Sequence, residues 1–367
     1  MNADADDRTP PAWDDGWRAA WAAHVTTPED GVDRAPCRVV RIDKGGITVA
    51  TTPDDERLVV AAKSSRRVVV GDVCSLDVDA GRIDAILERR TVFERRSPGV
   101  QRDELRLESR PLAANMDRVL VLQPLDTGVN EARLARELVL AWESGATPIV
   151  ALTKADLVDA NAIAAGVESA TVNSPDVAVV VVSTQQRSGL DELRDVLDAG
   201  DRAGQPRVLA LLGPSGAGKS TLANALAGHE VQLTAEVRDS DRRGRHTTTA
   251  GQMLTLDDHT WLIDTPGIRG VGLWAADDGL ERAFADLSPF AQDCRFDDCS
   301  HRSEPDCGLR AAVERGDLAP VRLELWLRLV DELEDLEADL ERRERAVERD
   351  DNQRARHRAR GRDRSDD

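Results

Sequence analysis

The stretch Thr153-Lys154-Ala155-Asp156, "TKAD", precedes residues 213–221, "GPSGAGKST", with 57 positions separating Asp156 from Gly213. The later stretch fits G-x-x-x-x-G-K-[ST], a loop whose backbone N–H groups curl around phosphates. The earlier one is close to Asn-Lys-x-Asp, which reads guanine in nucleotide switches and there follows the phosphate loop. Here the order is reversed. Each motif ends an apolar run, "PIVAL" for the first and "RVLALL" for the second, so each sits where a buried strand would stop.

Only four of the 49 basic residues are lysines, at positions 44, 63, 154 and 219, and two of them fall in these motifs. A compact ammonium is not interchangeable with a guanidinium fork. In so arginine-rich a chain, that placement supports both motifs as functional. At 367 residues two or three domains are expected. No apolar run of about 18 residues occurs. The start, "MNADADDRTPPAWDD", lacks a signal-peptide layout. Five cysteines, three of them close together, suit a reducing compartment and a metal better than a disulfide framework. The expectation is a cytoplasmic monomer without a membrane segment. A net charge of −19 argues against a general polyanion binder, so any RNA contact needs a local basic surface.

The fold class expected is multidomain α/β. Residues 1–35 form an acidic segment with Trp13, Trp17 and Trp21 at helical spacing, a stripe expected to pack on a neighbour. Residues 36–100 hold five β-type runs divided by Gly, Asp and Pro, as in an OB-type barrel. Arg38, Arg41, Arg66, Arg67, Arg89, Arg90, Arg95 and Arg96 are interspersed there, which suits a nucleic-acid grip and equally a solvated surface. Residues 101–275 alternate Val/Ile/Leu runs with amphipathic helices, the pattern of a mostly parallel sheet covered on both faces. Residues 276–350 read as a helical domain interrupted by a cysteine cluster. In the tail, 351–367, arginines recur at every second position from 354 to 364, which predicts disorder until an anion binds.

The phosphate loop would use Gly213, Pro214, Ser215, Gly216, Ala217, Gly218, Lys219, Ser220 and Thr221. Lys219 would reach the β- and γ-phosphates, and Ser220 would ligate magnesium. "DTPG" at 264–267 offers Asp264 to the metal through water and the Gly267 N–H to a γ-phosphate. "RRGRHTTT" at 242–249 has the polar, glycine-containing composition of a switch loop. One of Thr247, Thr248 or Thr249 would complete the magnesium shell, and Thr248 is taken as that ligand. Asp156 can accept from guanine N1–H and the exocyclic amine, and the Lys154 stem can lie over the base. Thr153 stands where the guanine motif has Asn, so one brace to the phosphate loop is lost or replaced by a hydroxyl. Ser183 and Thr184, in "VVST", can add backbone contacts to the base. Cys294, Cys299, His301 and Cys307 follow C-x4-C-x-H-x5-C, a donor set for one closed structural zinc site. Cys37 and Cys74 read as buried thiols.

Base motif, "ST" motif, phosphate loop, switch threonines and "DTPG" follow one another in the order a circularly permuted GTPase would have. A parallel sheet tolerates such a cut, because strand neighbours depend on packing and not on which loop is broken. "RPLAANMDRVLVL", "TKADL", "GPSGAGKSTLANAL", "GRHTTTAGQ", "DTPGIRGVGLW" and "CRFDDCSHRSEPDC" resemble segments of the RsgA family of small-ribosomal-subunit biogenesis GTPases. The resemblance runs from about Cys37 to at least Leu318. It implies an OB barrel, a permuted GTPase domain and a zinc domain. Its partners would be GTP/GDP and the small ribosomal subunit with its ribosomal RNA. Ile268 holds the place of a water-orienting Gln, so slow intrinsic turnover, stimulated on the subunit, is implied. His246, beside the switch threonines, is the nearby side chain suited to orient water, making His246, Lys219 and Thr248 the catalytic set. Two rivals remain: a zinc-stabilised RNA-binding module using GTP only as a structural ligand, and a P-loop kinase or ATPase.

Overall fold

The computed structural model of the chain describes residues 9–25, 32–61, 67–101, 104–199, 205–231, 233, 251–264, 273 and 276–362. Asp14 caps α1 (Asp15–His24) by accepting the Trp17 N–H at 2.7 Å. Trp13 and Trp17 are buried against Val73 and Leu87, with Trp21 half-buried beside them. The tryptophan stripe packs, and its neighbour is the barrel.

The barrel is built from β1 (Arg34–Asp43), β2 (Gly46–Ala50), β3 (Glu56–Ala61), β4 (Val73–Asp77) and β5 (Arg82–Ile86). They close in the order β1-β2-β3-β5-β4-β1, antiparallel except where β3 runs beside β5. Strand side chains alternate faces. Cys37 and Val39 therefore join Val49, Val59, Cys74, Leu76 and Ile83 inside, while Val40 joins the core of the next domain. Cys37 and Cys74 lie opposite each other, fully buried as free thiols.

β6 (Val92–Gln101) and β7 (Glu104–Ala114) form a separate two-stranded ribbon. It has no counterpart in the sequence reading, because β6 carries charge at both strand parities and the short alternation of Leu105 and Leu107 in β7 stands alone.

The central sheet is assembled from β8 (Arg118–Pro124), α2 (Glu131–Glu143), β9 (Thr147–Thr153), α3 (Ala160–Asn173), β10 (Val179–Val181), α4 (Leu190–Asp198), β11 (Arg207–Leu212), α5 (Lys219–Ala227), β12 (Gly251–Thr255) and β13 (Thr260–Asp264). Its order is β10-β9-β8-β11-β13-β12, parallel except for β12. The chain enters mid-sheet at β8, steps outward to β10, returns to β11 beside β8, and then builds the other half. The four central strands β8, β9, β11 and β13 are buried on both faces. Val119, Val121, Val150 and Val208 meet Leu134 and Leu138 of α2, while Leu120, Leu122 and Leu209 meet Leu193 of α4 and Leu222 of α5. β12 also pairs with barrel strand β1, through Gln252 with Arg41 and Gly251 with Ile42. Barrel and central sheet are one continuous 11-stranded ladder.

The C-terminal part holds α6 (Asp277–Ala283), α7 (Ser288–Ala291), α8 (Gly308–Arg315) and α9 (Pro320–Arg362). Arg322, 2% exposed, fastens it to the sheet domain. Its guanidinium donates to the Asn173 carbonyl at 3.0 Å and the Ala283 carbonyl at 2.8 Å, pairs with Asp286, and lies 4.2 Å from the Phe284 ring. A buried charge so fully partnered holds three elements together, and removing it would strand those partners. The disorder expected for 351–367 is corrected for residues 351–362: α9 continues helical across the boundary drawn at 350. Arg, Ala and Glu are strong helix formers, and spacings such as Glu341–Arg345, bonded at 3.0 Å, add support along the helix. Among the described residues no helix is long and apolar enough to cross a membrane.

Candidate functional site

Parallel strands deliver their following loops to one sheet edge, where ligands bind in such folds. The loop between β11 and α5 is held there by backbone shape. Gly213 has φ 138°, and a Cβ on it would lie 2.8 Å from the Leu122 carbonyl oxygen of β8. Gly216 and Gly218 also have positive φ, 78° and 89°. Lys219, 4% exposed, folds back across the loop, its Nζ donating to the carbonyls of Gly213 at 3.0 Å and Pro214 at 2.5 Å. Ser215, Gly216, Ser220 and Thr221 are exposed at the rim, and Asp264 ends β13 half-buried.

Thr153 ends β9, and its hydroxyl donates to the Ala217 carbonyl in the phosphate loop at 2.7 Å. The position expected to carry an amide brace therefore keeps one brace through a hydroxyl. Lys154 takes a left-handed conformation, φ 61°, and its ammonium pairs with Asp126 at 2.8 Å. Asp156 accepts from the Ser183 hydroxyl at 2.6 Å. That hydroxyl oxygen in turn accepts the Gln186 N–H at 3.0 Å. Thr184 is half-buried next to it. "TKAD", "ST" and the phosphate loop are thus one bonded constellation despite their separation in sequence. Asp126 was missed by the sequence reading; its place just beyond the end of a central parallel strand was the available signal. His246, Thr247, Thr248, Thr249, Gly267 and Ile268 lie outside the described residues.

The barrel arginines require a correction. Arg38 is 1% exposed, near Asp117, Asp14 and Asp72; burial lowers its pKa to about 10. Arg89 is paired with the buried Asp72 through two bonds, at 2.7 and 2.9 Å. Arg90 is forked onto Asp14 and lies 3.9 Å over the Trp17 ring. Arg41 pairs with Asp43 and Glu56. Arg38 is enclosed, and Arg89 and Arg90 are held by carboxylates distant in sequence, while Arg41 stays about half exposed at the surface. Arg67 is exposed. Arg66 lies outside the described residues, as do the side chains of Arg95 and Arg96.

Cys294, Cys299, His301 and Cys307 bring their donor atoms within 4.8 Å of one another. The Cys294 and Cys307 sulfurs lie 3.4 and 3.5 Å from His301 Nδ1 and 4.0 Å from each other. A tetrahedral ion with metal–sulfur bonds of about 2.3 Å sets its sulfurs about 3.8 Å apart, so this donor set fits one metal ion. Desolvation pushes the Cys299 thiol up to about 11, with hydrogen bonds to Cys294 and Cys307 adding to the rise. A dication would reverse that balance. The connecting loop is pre-shaped by Glu304, which accepts from Ser300 N–H at 3.1 Å, Arg302 N–H at 3.0 Å and Ser303 N–H at 3.1 Å. The Gly308 N–H donates to the Cys294 sulfur at 3.2 Å, and Trp326 of α9 meets the His301 ring edge-on.

The family model described as RsgA GTPase matches residues 86–274. The chain is 40% identical over 341 residues to a Streptomyces coelicolor protein named small ribosomal subunit biogenesis GTPase RsgA, spanning 91% of this chain and 88% of that one. A Syntrophotalea carbinolica protein of the same name is 38% identical over 327 residues, 85% of this chain and 87% of the other. In fold the chain is similar to the crystal structure of YjeQ from Thermotoga maritima, with TM-score 0.63, 24% identity, and coverage of 82% and 99%. It is also similar to that of YloQ, described as a circularly permuted GTPase, with TM-score 0.58, 19% identity, and coverage of 84% and 98%. The chain belongs to the RsgA GTPase family.

Proposed function

We propose that the chain hydrolyses GTP during late maturation of the small ribosomal subunit, binding ribosomal RNA and leaving the subunit after hydrolysis. The observation that carries this reading is the bond from Thr153 to Ala217, which joins the base motif to the phosphate loop. The curated relatives, named for small-subunit biogenesis, support the setting. In this reading Asp156 and the Lys154 stem select guanine, with Ser183 and Thr184 closing the base site. Residues 213–221 wrap the phosphates, and Lys219 leaves its carbonyl partners to neutralise them. Ser220, Thr248 and, through water, Asp264 would hold magnesium, which supplies positive charge to the phosphate oxygens when bound. Gly267 meets the γ-phosphate, and His246 orients the attacking water. The barrel closure order supports an OB-type domain, and three thiolates with one imidazole support a single structural zinc. A cytoplasmic monomer with slow intrinsic, subunit-stimulated turnover completes the reading.

GTP turnover with and without purified small subunits tests it. Several-fold faster release of phosphate with subunits is the expected result. GTP binding with no turnover in either condition would favour a passive RNA-binding module, and equal use of ATP would favour a kinase or ATPase.

Asp156→Asn is expected to shift preference from GTP toward xanthosine triphosphate by about 10–10²-fold, because the amide donates where the carboxylate accepted. Competition binding with the two nucleotides reads this, and an unchanged preference counts against the base site.

Beside the barrel, the arginines at every second position from 354 to 364 are the other basic stretch of the sequence. Deleting 352–367 removes six arginines and three aspartates. The slope of log affinity for small subunits against log salt should become shallower by about 2–3. An unaltered slope would show that the tail does not touch RNA.

A further inference from the structure

Glu137 lies on α2, partly buried, and its Oε2 accepts from Gln123 Nε2 at 2.9 Å. Gln123 is 1% exposed and directly follows Leu122, whose carbonyl packs against Gly213. Glu137 is thus bonded to the residue that follows the one whose carbonyl meets Gly213, and it lies within electrostatic reach of Lys219. The functional reading above leaves it without a task.

We propose that Glu137 is a positioning residue for the phosphate loop, acting through Gln123 and Lys219, and that it takes up a proton when nucleotide binds. The proposal rests on the phosphate-loop reading. Burial pushes the Glu137 carboxyl up to about 7, and Arg133, Lys219 and the Gln123 amide pull it partly back. Among the other elements packed on α2, Glu332 of α9 engages Arg136, Arg282 of α6 lies over Trp142, and Ser169 of α3 bonds Glu131. Lys219 and Arg133 remain as the charges acting on Glu137.

Incoming phosphates bring negative charge to the loop and draw the Lys219 ammonium toward themselves. Both changes disfavour the Glu137 carboxylate, so its pKa rises further and an O–H bond forms with a proton from solvent. The sign follows from linkage. Affinity is highest below the free-protein value, where Glu137 is already neutral. It falls as pH rises through about 7 and levels off above the bound-state value. Each further unit of rise corresponds to about tenfold in affinity. Protonated Glu137 keeps its acceptor oxygen on Gln123, so β8 and the first turn of the loop stay in place while the opposing charge is removed.

The test is isothermal titration of the full chain with magnesium·GDP near pH 7, in PIPES and in Tris, whose ionisation heats differ. Wild type is expected to take up a substantial fraction of a proton beyond the nucleotide's own titration. Glu137→Gln, which keeps an acceptor for Gln123, is expected to lose that fraction and to flatten the affinity profile between about pH 6 and 8. Glu137→Leu repeats the measurement should the amide variant not fold. Equal proton counts in wild type and variant, or no uptake in wild type, overturn the proposal while leaving the phosphate loop intact. Failure of wild type to bind GDP at all overturns the phosphate-loop reading itself.

Discussion

Lys219→Ala is expected to lower GTP turnover by about 10²–10³-fold or more, the scale seen when a group aimed at developing charge is removed. The ammonium folds over the Gly213 and Pro214 carbonyls at the edge of the sheet. Phosphates can capture it from there without a large movement of backbone. The fold should survive, because the loop is shaped by Gly213 against Leu122 and by Thr153 on Ala217, neither of which involves the lysine side chain. Phosphate release with saturating small subunits measures the loss, and circular dichroism checks the fold. Subunit-stimulated hydrolysis at the wild-type rate would sink the assignment of this loop.

Metal removal should have the second largest effect. Purified protein is expected to carry about one zinc per chain, and Cys294→Ser to lower that figure. Cys294 is the choice because its sulfur meets His301, Cys307 and the Gly308 N–H together. A structural site contributes its binding energy to folding. Loss of several kcal/mol should drop the melting temperature by about 10 °C, at roughly 2–4 °C per kcal/mol for a domain of this size. Limited proteolysis should open first between α7 and α8, where the donors sit. Chain that is metal-free after strong chelation yet melts unchanged would contradict a structural role.

What could be read beforehand divides along a physical line. The phosphate loop, the "TKAD" stretch and the Cys/His group are local: their chemistry depends on spacing within about a dozen residues, so the chain spells them out. Asp126, Gln123 and Glu137 matter only because particular strand ends and helix faces meet, and no spacing announces that. The enclosure of Arg38 and the pairing of Arg89 and Arg90 were illegible for a related reason. Their carboxylate partners include Asp14, from a different segment, which forks onto Arg90. The β6–β7 ribbon escaped notice because β6, charged at both strand parities, leaves no alternation to pair with the short Leu105 and Leu107 run of β7. Permutation itself was legible, since motif order is a property of the sequence alone.

The ladder between β12 and β1 bears on how the protein can be dissected. A fragment beginning near residue 86, where the family match begins, would carry all the nucleotide motifs and look like a self-sufficient enzyme core. It would also leave β12 as a bare edge, its N–H and C=O groups at Gly251 and Gln252 deprived of Ile42 and Arg41. Exposed edges recruit other chains. Self-association of such a fragment would therefore report the missing seam and say nothing about the natural oligomeric state. In this architecture the barrel is also a selvedge, the woven border that keeps the neighbouring cloth from fraying.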